Sequence, residues 1–200
     1  MTLLLLGLLA LNLFVSWWNC RVAGAAWDEA RQVGGWPRFL AWCAATQSAI
    51  GFSGIYLLLL AAIGMVSGLV PPKAATAATH IWYLAVILPA LGTGFAILME
   101  SWRVAIRDGG FWNTMGASYN TGAMLHNAYQ ASSGIGDSLG WLGDLLNGDS
   151  DDDGGKLFLI GLLLAACALF GGAITTWLLV GRYAREERAR RFAGRDLRLA

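Results

Sequence analysis

The sequence predicts an all-α integral membrane protein, and three observations carry that prediction. Apolar residues make up 56% of the chain and charged residues 14%, against about 25% charged in an ordinary soluble domain. Two hundred residues cannot bury that much apolar surface in a core of their own, so lipid must cover part of it. Four stretches are long and apolar enough for a hydrocarbon layer of about 30 Å, which a helix of roughly 20 residues crosses. Finally, the chain holds ten Trp, a ring that collects at membrane–water interfaces because its body is apolar and its N–H polar.

The first span is expected at about 2–20, closed by Trp17 and Trp18. Ala23-Gly24-Ala25 has the look of a leader cleavage site, but no Lys or Arg precedes the apolar stretch, so it is read as a retained membrane helix. Ala23 to Gln32 is expected as a short surface helix, stopped by Gly34-Gly35 and Pro37, with Asp28 and Arg31 one turn apart. The second span covers about 42–70 and ends at Pro71-Pro72. The third covers about 78–102 and carries Pro89, which should kink it. At its exit Glu100, Arg103 and Arg107 share a face, and an ion pair of Glu100 with Arg103 is expected to anchor the helix end. Residues 103–156 form a polar and acidic connection, the fourth span covers about 157–183, and 184–200 is a basic tail. All of this reads as one multi-pass domain.

Small residues recur along the fourth span at Gly161, Ala165, Ala168, Gly172 and Thr176. Their spacing keeps them on one face, where another helix can approach closely, and such packing is a main driver of helix association in lipid. Gly64 and Gly68 repeat the spacing at the end of the second span. Whether the partner helix belongs to the same chain is open at this level.

Residues 111–131 break the apolar pattern. An aromatic or imidazole ring followed by Asn recurs every seven residues, at Trp112-Asn113, Tyr119-Asn120 and His126-Asn127. In a helix that period sets Asn113, Asn120 and Asn127 in one stripe with the rings beside it. Two placements are weighed. The segment is too polar to face lipid, which tips the expectation toward a folded extramembrane helix. Charge argues for the other placement. With four crossings, eight basic residues lie on the side of the tail and six on the other. With 111–131 as a fifth crossing, twelve arginines share the side of the tail, and only Lys73 and Lys156 lie opposite, as the positive-inside tendency prefers. A crossing segment of this polarity would have to be interior, against protein or enclosed water. Next, Ile135, Leu139, Leu142 and Leu146, with Trp141 beside them, form an amphipathic helix suited to the membrane surface.

The chain offers little chemistry beyond this. Asp149, Asp151, Asp153 and Gly154 match the opening of a calcium loop, but Ile160 stands where the bidentate Glu should be, so a solvated acidic turn is expected. His80 and His126 are the two histidines, a poor basis for haem. Cys20, Cys43 and Cys167 lie far apart with no ligand spacing and read as small apolar fillers. No nucleophile elbow, zinc-helix motif, phosphate loop or paired catalytic carboxylates occur, so neither catalysis nor a bound cofactor is expected. The tail carries seven Arg from Arg182 to Arg198 with Glu186, Glu187 and Asp196; it reads as a helix continuing from the last span and suits anionic headgroups better than nucleic acid.

The expected role is that of a non-enzymatic membrane subunit of an oligomeric or multiprotein assembly, in a bacterial inner membrane with a cytoplasmic C-terminus. Its partners would be the lipid bilayer and other membrane subunits or copies of itself. One alternative is a homo-oligomeric channel lined by the Asn stripe; another is a membrane electron-transfer or enzyme subunit.

Overall fold

The computed structural model of the chain describes residues 2–147 and 154–196, and all regular structure among them is helical. Five helices follow in order: α1 (Thr2–Val33), α2 (Gly35–Val66), α3 (Pro72–Asp108), α4 (Phe111–Asn147) and α5 (Gly154–Asp196). Of these, α1, α2, α3 and α5 are long and apolar enough to cross a membrane, the arrangement of a multi-pass membrane protein.

Local sequence explains where the helices stop. The end of α2 is a paired-bond cap: Leu69 N–H reaches back to the Gly64 carbonyl at 2.9 Å and Gly68 N–H to that of Met65 at 3.1 Å. Gly68 between them has φ +72, a left-handed conformation that glycine adopts without steric cost. Gly64 and Gly68 are thus a helix terminus, with Val70 folded over Gly64, rather than a surface for another helix. Pro72 then opens α3 at its first position, where its missing N–H leaves no bond unmade. Gly109 and Gly110, at φ +64 and +91, turn α3 back into α4.

Two elements differ from the sequence expectation. The surface helix expected at 23–32 is the last part of α1, which runs on to Val33. Its Ala, Glu, Arg and Gln are good helix formers, so nothing stops the helix where hydropathy falls. Likewise 111–131 and the amphipathic segment after it are one unbroken helix, α4. The arginine tail, in contrast, follows its expectation and continues the last apolar span as one helix to Asp196. The acidic run 149–153 lies outside the described residues, as do the side chains of Asp28 and Arg31.

The helices alternate in direction. Gly161, early in α5, lies on Ala74 and Ala77, early in α3, while Gly24, late in α1, lies on Val180 and Tyr183, late in α5. So α1, α3 and α5 run one way, and α2 and α4 the other. α2 and α5 form the centre, with α1 and α3 against both and α4 outermost on α3.

What fills the centre is small. The largest side chains with almost no exposure are Cys20, Cys43, Ser16, Ser48 and Ser53. Gly161, Ala165, Ala168, Gly172 and Thr176 are all buried; Gly161 lies on α3, Ala168 on α2 and α3, Gly172 on α2, and Thr176 beside Cys20 of α1, all within the same chain. A Cβ built on Gly172 would stand 2.4 Å from the Ala49 carbonyl oxygen and 2.6 Å from the Ser53 nitrogen; on Gly161 it would stand 2.6 Å from the Ala77 Cβ. Apart from Phe52 and Leu57, which are buried in α2, most Leu, Phe and Trp side chains point outward along all five helices, the reverse of a soluble domain.

Hydrogen bonds between side chains add direction to this packing. Ser48 on α2 donates to the Ser16 carbonyl on α1. Gln47 gives one N–H to the Ala90 carbonyl and the other to Thr93 Oγ1, each at 2.8 Å, holding α2 to α3 beside Pro89. Trp82 Nε1 on α3 donates to Ser53 Oγ at 2.8 Å, and Tyr56 shares a bond of 2.8 Å with Thr175 on α5.

Gly172→Leu should therefore lower the melting point of the single chain in detergent, at a cost of about 3 kcal/mol from forced separation of α2 and α5. Leu163→Ala, at a side chain 64% exposed, should shift it little. Equal shifts for the two would contradict the packing described.

Candidate functional site: the polar α3–α4 hairpin

The one long helix that is not apolar, α4, is folded back on an apolar helix from the turn to about Trp141. The register can be read from side chain to side chain. Near the turn, Asn113 Nδ2 donates to the Gly109 carbonyl at 2.7 Å and closes the hairpin. Further on, Trp102 Nε1 donates to Thr121 Oγ1 at 3.0 Å, and Gly94 faces the Met124 sulfur. Tyr83 donates to the Gln130 carbonyl at 2.7 Å and packs on Gly134. At the far end His80 Nδ1 and Ser138 Oγ share a bond of 2.9 Å. The His80 ring stacks on Trp141 with centroids 4.9 Å apart and planes 21° apart. Residues from about 117 to 141 therefore lie beside 80–102, the most apolar part of α3.

The inner face of α4 is small and weakly polar. Ala117, Ala131 and Ser138 are buried, and Thr121, Met124 and Gly134 are half-buried beside them. Asn120 and Asn127 sit at the edge of this contact, half-buried, and neither amide has a hydrogen-bond partner among the described residues. Asn113 is exposed and bonded to its own turn. The three asparagines are thus not equivalent: one closes the hairpin and two flank the α3 contact.

The outward stripe is a neighbouring one. Trp112, Met115, Tyr119, Gly122, His126, Tyr129, Ser133, Gly136 and Gly140 are all exposed and follow one another at alternating steps of three and four. It is the rings of the seven-residue repeat, and not the asparagines, that face away from the bundle. Ser132 and Ser133 satisfy their hydroxyls on the Tyr129 carbonyl, whereas the His126 ring and the Gln130 amide have no side-chain partner among the described residues. A helix can hide two faces of such a sequence only if a second neighbour covers the outer one.

The remaining candidates fall elsewhere. Glu100 and Arg103 make a two-pronged ion pair, at 2.8 and 2.9 Å, and Trp36 Nε1 donates to the same carboxylate at 2.8 Å. This ties the end of α3 to the start of α2. Arg107 pairs with Asp108 instead, at 2.6 Å. His80 and His126 are separated by roughly 18 Å along α4, judged from the twelve residues between Ser138 and His126, so they cannot share one iron within a chain. No group of three His, Cys, Asp or Glu side chains able to hold a metal occurs among the described residues.

The far end of the hairpin rests on His80, so His80→Ala should let residues 134–144 open locally. Amide exchange there is expected to rise about tenfold, the worth of one hydrogen bond and one ring stack, with α1, α2 and α5 unchanged. Uniform acceleration through the bundle, or none, would contradict this. The chain matches no protein-family model, and no curated protein or solved structure shows significant similarity to it.

Proposed function

We propose that this chain is a non-enzymatic membrane subunit of a larger assembly, in which α4 is a fifth crossing and its ring face is covered by another protein chain. One observation carries the reading: a helix exposing His126, Gln130, Tyr119 and Tyr129 runs alongside the apolar length of α3. Where α3 crosses hydrocarbon, α4 lies at the same depth. Lipid offers no hydrogen bond, and leaving an amide or hydroxyl without one costs several kcal/mol, about 4–8 on a cyclohexane reference. A second protein surface removes that cost.

Charge supports the same topology. Five alternating crossings gather all twelve arginines at the end of the bundle holding Arg21, Arg103 and the tail, and leave Lys73 and Lys156 at the other. That distribution favours a cytoplasmic C-terminus and, in a bacterium, the inner membrane.

A homo-oligomeric channel is the second reading, favoured by the same polar outer face being wetted rather than covered. In it the path would be lined by Tyr119, His126, Gln130 and Ser133, not by the asparagine stripe.

The crossing is tested by asking whether Lys73 and Ala200 lie on one side. With native cysteines replaced, Lys73→Cys and a cysteine after Ala200 should react with an impermeant thiol reagent from opposite faces of intact cells or vesicles. Labelling from the same face would mean four crossings and would defeat the reading of α4.

Assembly is tested separately. His126→Cys should form a disulfide or a bifunctional crosslink to another chain in native membranes, whereas Leu163→Cys on the outward face of α5 should not. If His126→Cys labels freely with lipid-soluble maleimide and never crosslinks, no protein covers the ring face. A conductance that appears with the purified chain alone in bilayers and changes with Gln130→Leu would favour the channel.

A further inference from the structure

A second feature lies at the opposite side of the bundle from α4, where α1 and α5 leave its centre. Gly24 lets the two helices meet backbone to backbone, and beyond that contact they part around an open cleft of about 30 Å³. It is lined by Arg21 and Ala25 from α1 and by Tyr183, Glu186, Glu187 and Arg190 from α5. On α5 these side chains sit three, four and seven residues after Tyr183, which places them on one helix face.

The lining holds two guanidiniums and two carboxylates, but the carboxylates are engaged from outside it. Glu186 is engaged by Arg182 at 2.8 Å and Glu187 by Arg191 at 3.4 Å, so both carboxylates already have a guanidinium each. Arg21 and Arg190 have no carboxylate partner among the described residues. Arg21 is held instead over the Trp17 ring, 5.8 Å from its centroid, which fixes the side chain without neutralising it. The Tyr183 hydroxyl accepts a hydrogen bond from Trp17 Nε1, so its own hydrogen is left to donate. Two guanidiniums and one hydroxyl, all donors, therefore border one small space open to the outside.

The geometry points to a binding site for a phosphate anion in this cleft, supplied in the first place by the headgroup of an anionic lipid. The Arg21 and Arg190 guanidiniums and the Tyr183 hydroxyl hold its oxygens. Guanidinium and phosphate match in charge and in fork geometry. The depth suits a headgroup, because Trp17, Trp18 and Tyr183 belong to the interfacial ring belt. Exposed Trp18 and Val22 beside Arg21 offer acyl chains an apolar surface. This site is independent of the reading of α4 and does not require the chain to assemble.

The test uses the purified full chain in detergent, with phosphatidylglycerol or phosphatidylcholine of the same acyl chains added, and bound lipid read by native mass spectrometry. The chain should retain phosphatidylglycerol in preference to phosphatidylcholine. Arg21→Gln with Arg190→Gln should weaken that retention about tenfold, the loss of one to two charge-assisted hydrogen bonds. Arg185→Gln, exposed and outside the cleft, should leave it unchanged. The paired Lys variant, which keeps charge and donors but not the guanidinium fork, should recover part of it, separating loss of charge from loss of fold. Displacement of the lipid by inorganic phosphate would assign the site to free phosphate as well, and resistance to it would assign the site to lipid. Equal retention by the chain and the double Gln variant, or no preference between the two lipids, would overturn the proposal.

Discussion

The approach of α5 to α2 sets the geometry of the whole bundle. At Gly172 the two backbones are so close that a single methyl group would collide with the Ala49 carbonyl. In lipid, water does not drive helices together, because the acyl chains are as apolar as Leu. Attraction must come from many atom pairs at contact distance, and only small side chains allow that number. This explains why alanine, serine and cysteine hold the centre while leucine and phenylalanine face out. It also explains why polar side chains are tolerated inside. Ser48, Gln47, Trp82 and Tyr56 each find a partner across a helix boundary, and a donor held so close to its acceptor has little to lose to solvent.

Against that tight centre, α4 stands out as a helix with one satisfied side. Its inner face follows the same rule of small residues, with Ala117, Ala131 and Ser138 buried on α3. Its outer face follows no rule of lipid exposure at all. The contrast within a single helix makes the hairpin, rather than any buried group of the centre, the place to look for function.

Much of this was legible in the sequence, for physical reasons that also mark its boundary. The apolar stretches around Leu60, Leu98 and Leu163 announce themselves because hydrocarbon imposes length and composition together. The helix ends are different, since a helix leaving the membrane meets no force that stops it. Ala23 to Gln32 therefore stays in α1, just as the arginine tail, whose helical course was legible, stays in α5. The two parts of α4 were separable on paper because their periodicities differ, yet Gly134 and Gly136 between them do not break a helix that Tyr83 clamps at Gln130. The small stripe from Gly161 to Thr176 was visible as a face, but its partner was not, because glycine spacing carries no address. For the hairpin, the period of seven was plain. Which of two adjacent stripes turns outward was not, because α3 decides that through contacts such as Trp102 with Thr121.

The unbroken course of α5 has a mechanical consequence. Its 43 residues make a rod of roughly 65 Å, more than twice the thickness of a hydrocarbon layer. The ion pairs of Arg182 with Glu186 and Arg191 with Glu187 stiffen the part that projects. No glycine or proline hinge separates the tail from the bundle between Arg182 and Ala193. A force applied at the tail is not absorbed by a flexible joint. It is carried into the centre of the bundle and into α1 together, because Arg191 reaches the Ala25 carbonyl beyond the Gly24 contact. A displacement of the tail is thereby coupled to the tilt of every helix that packs on α5.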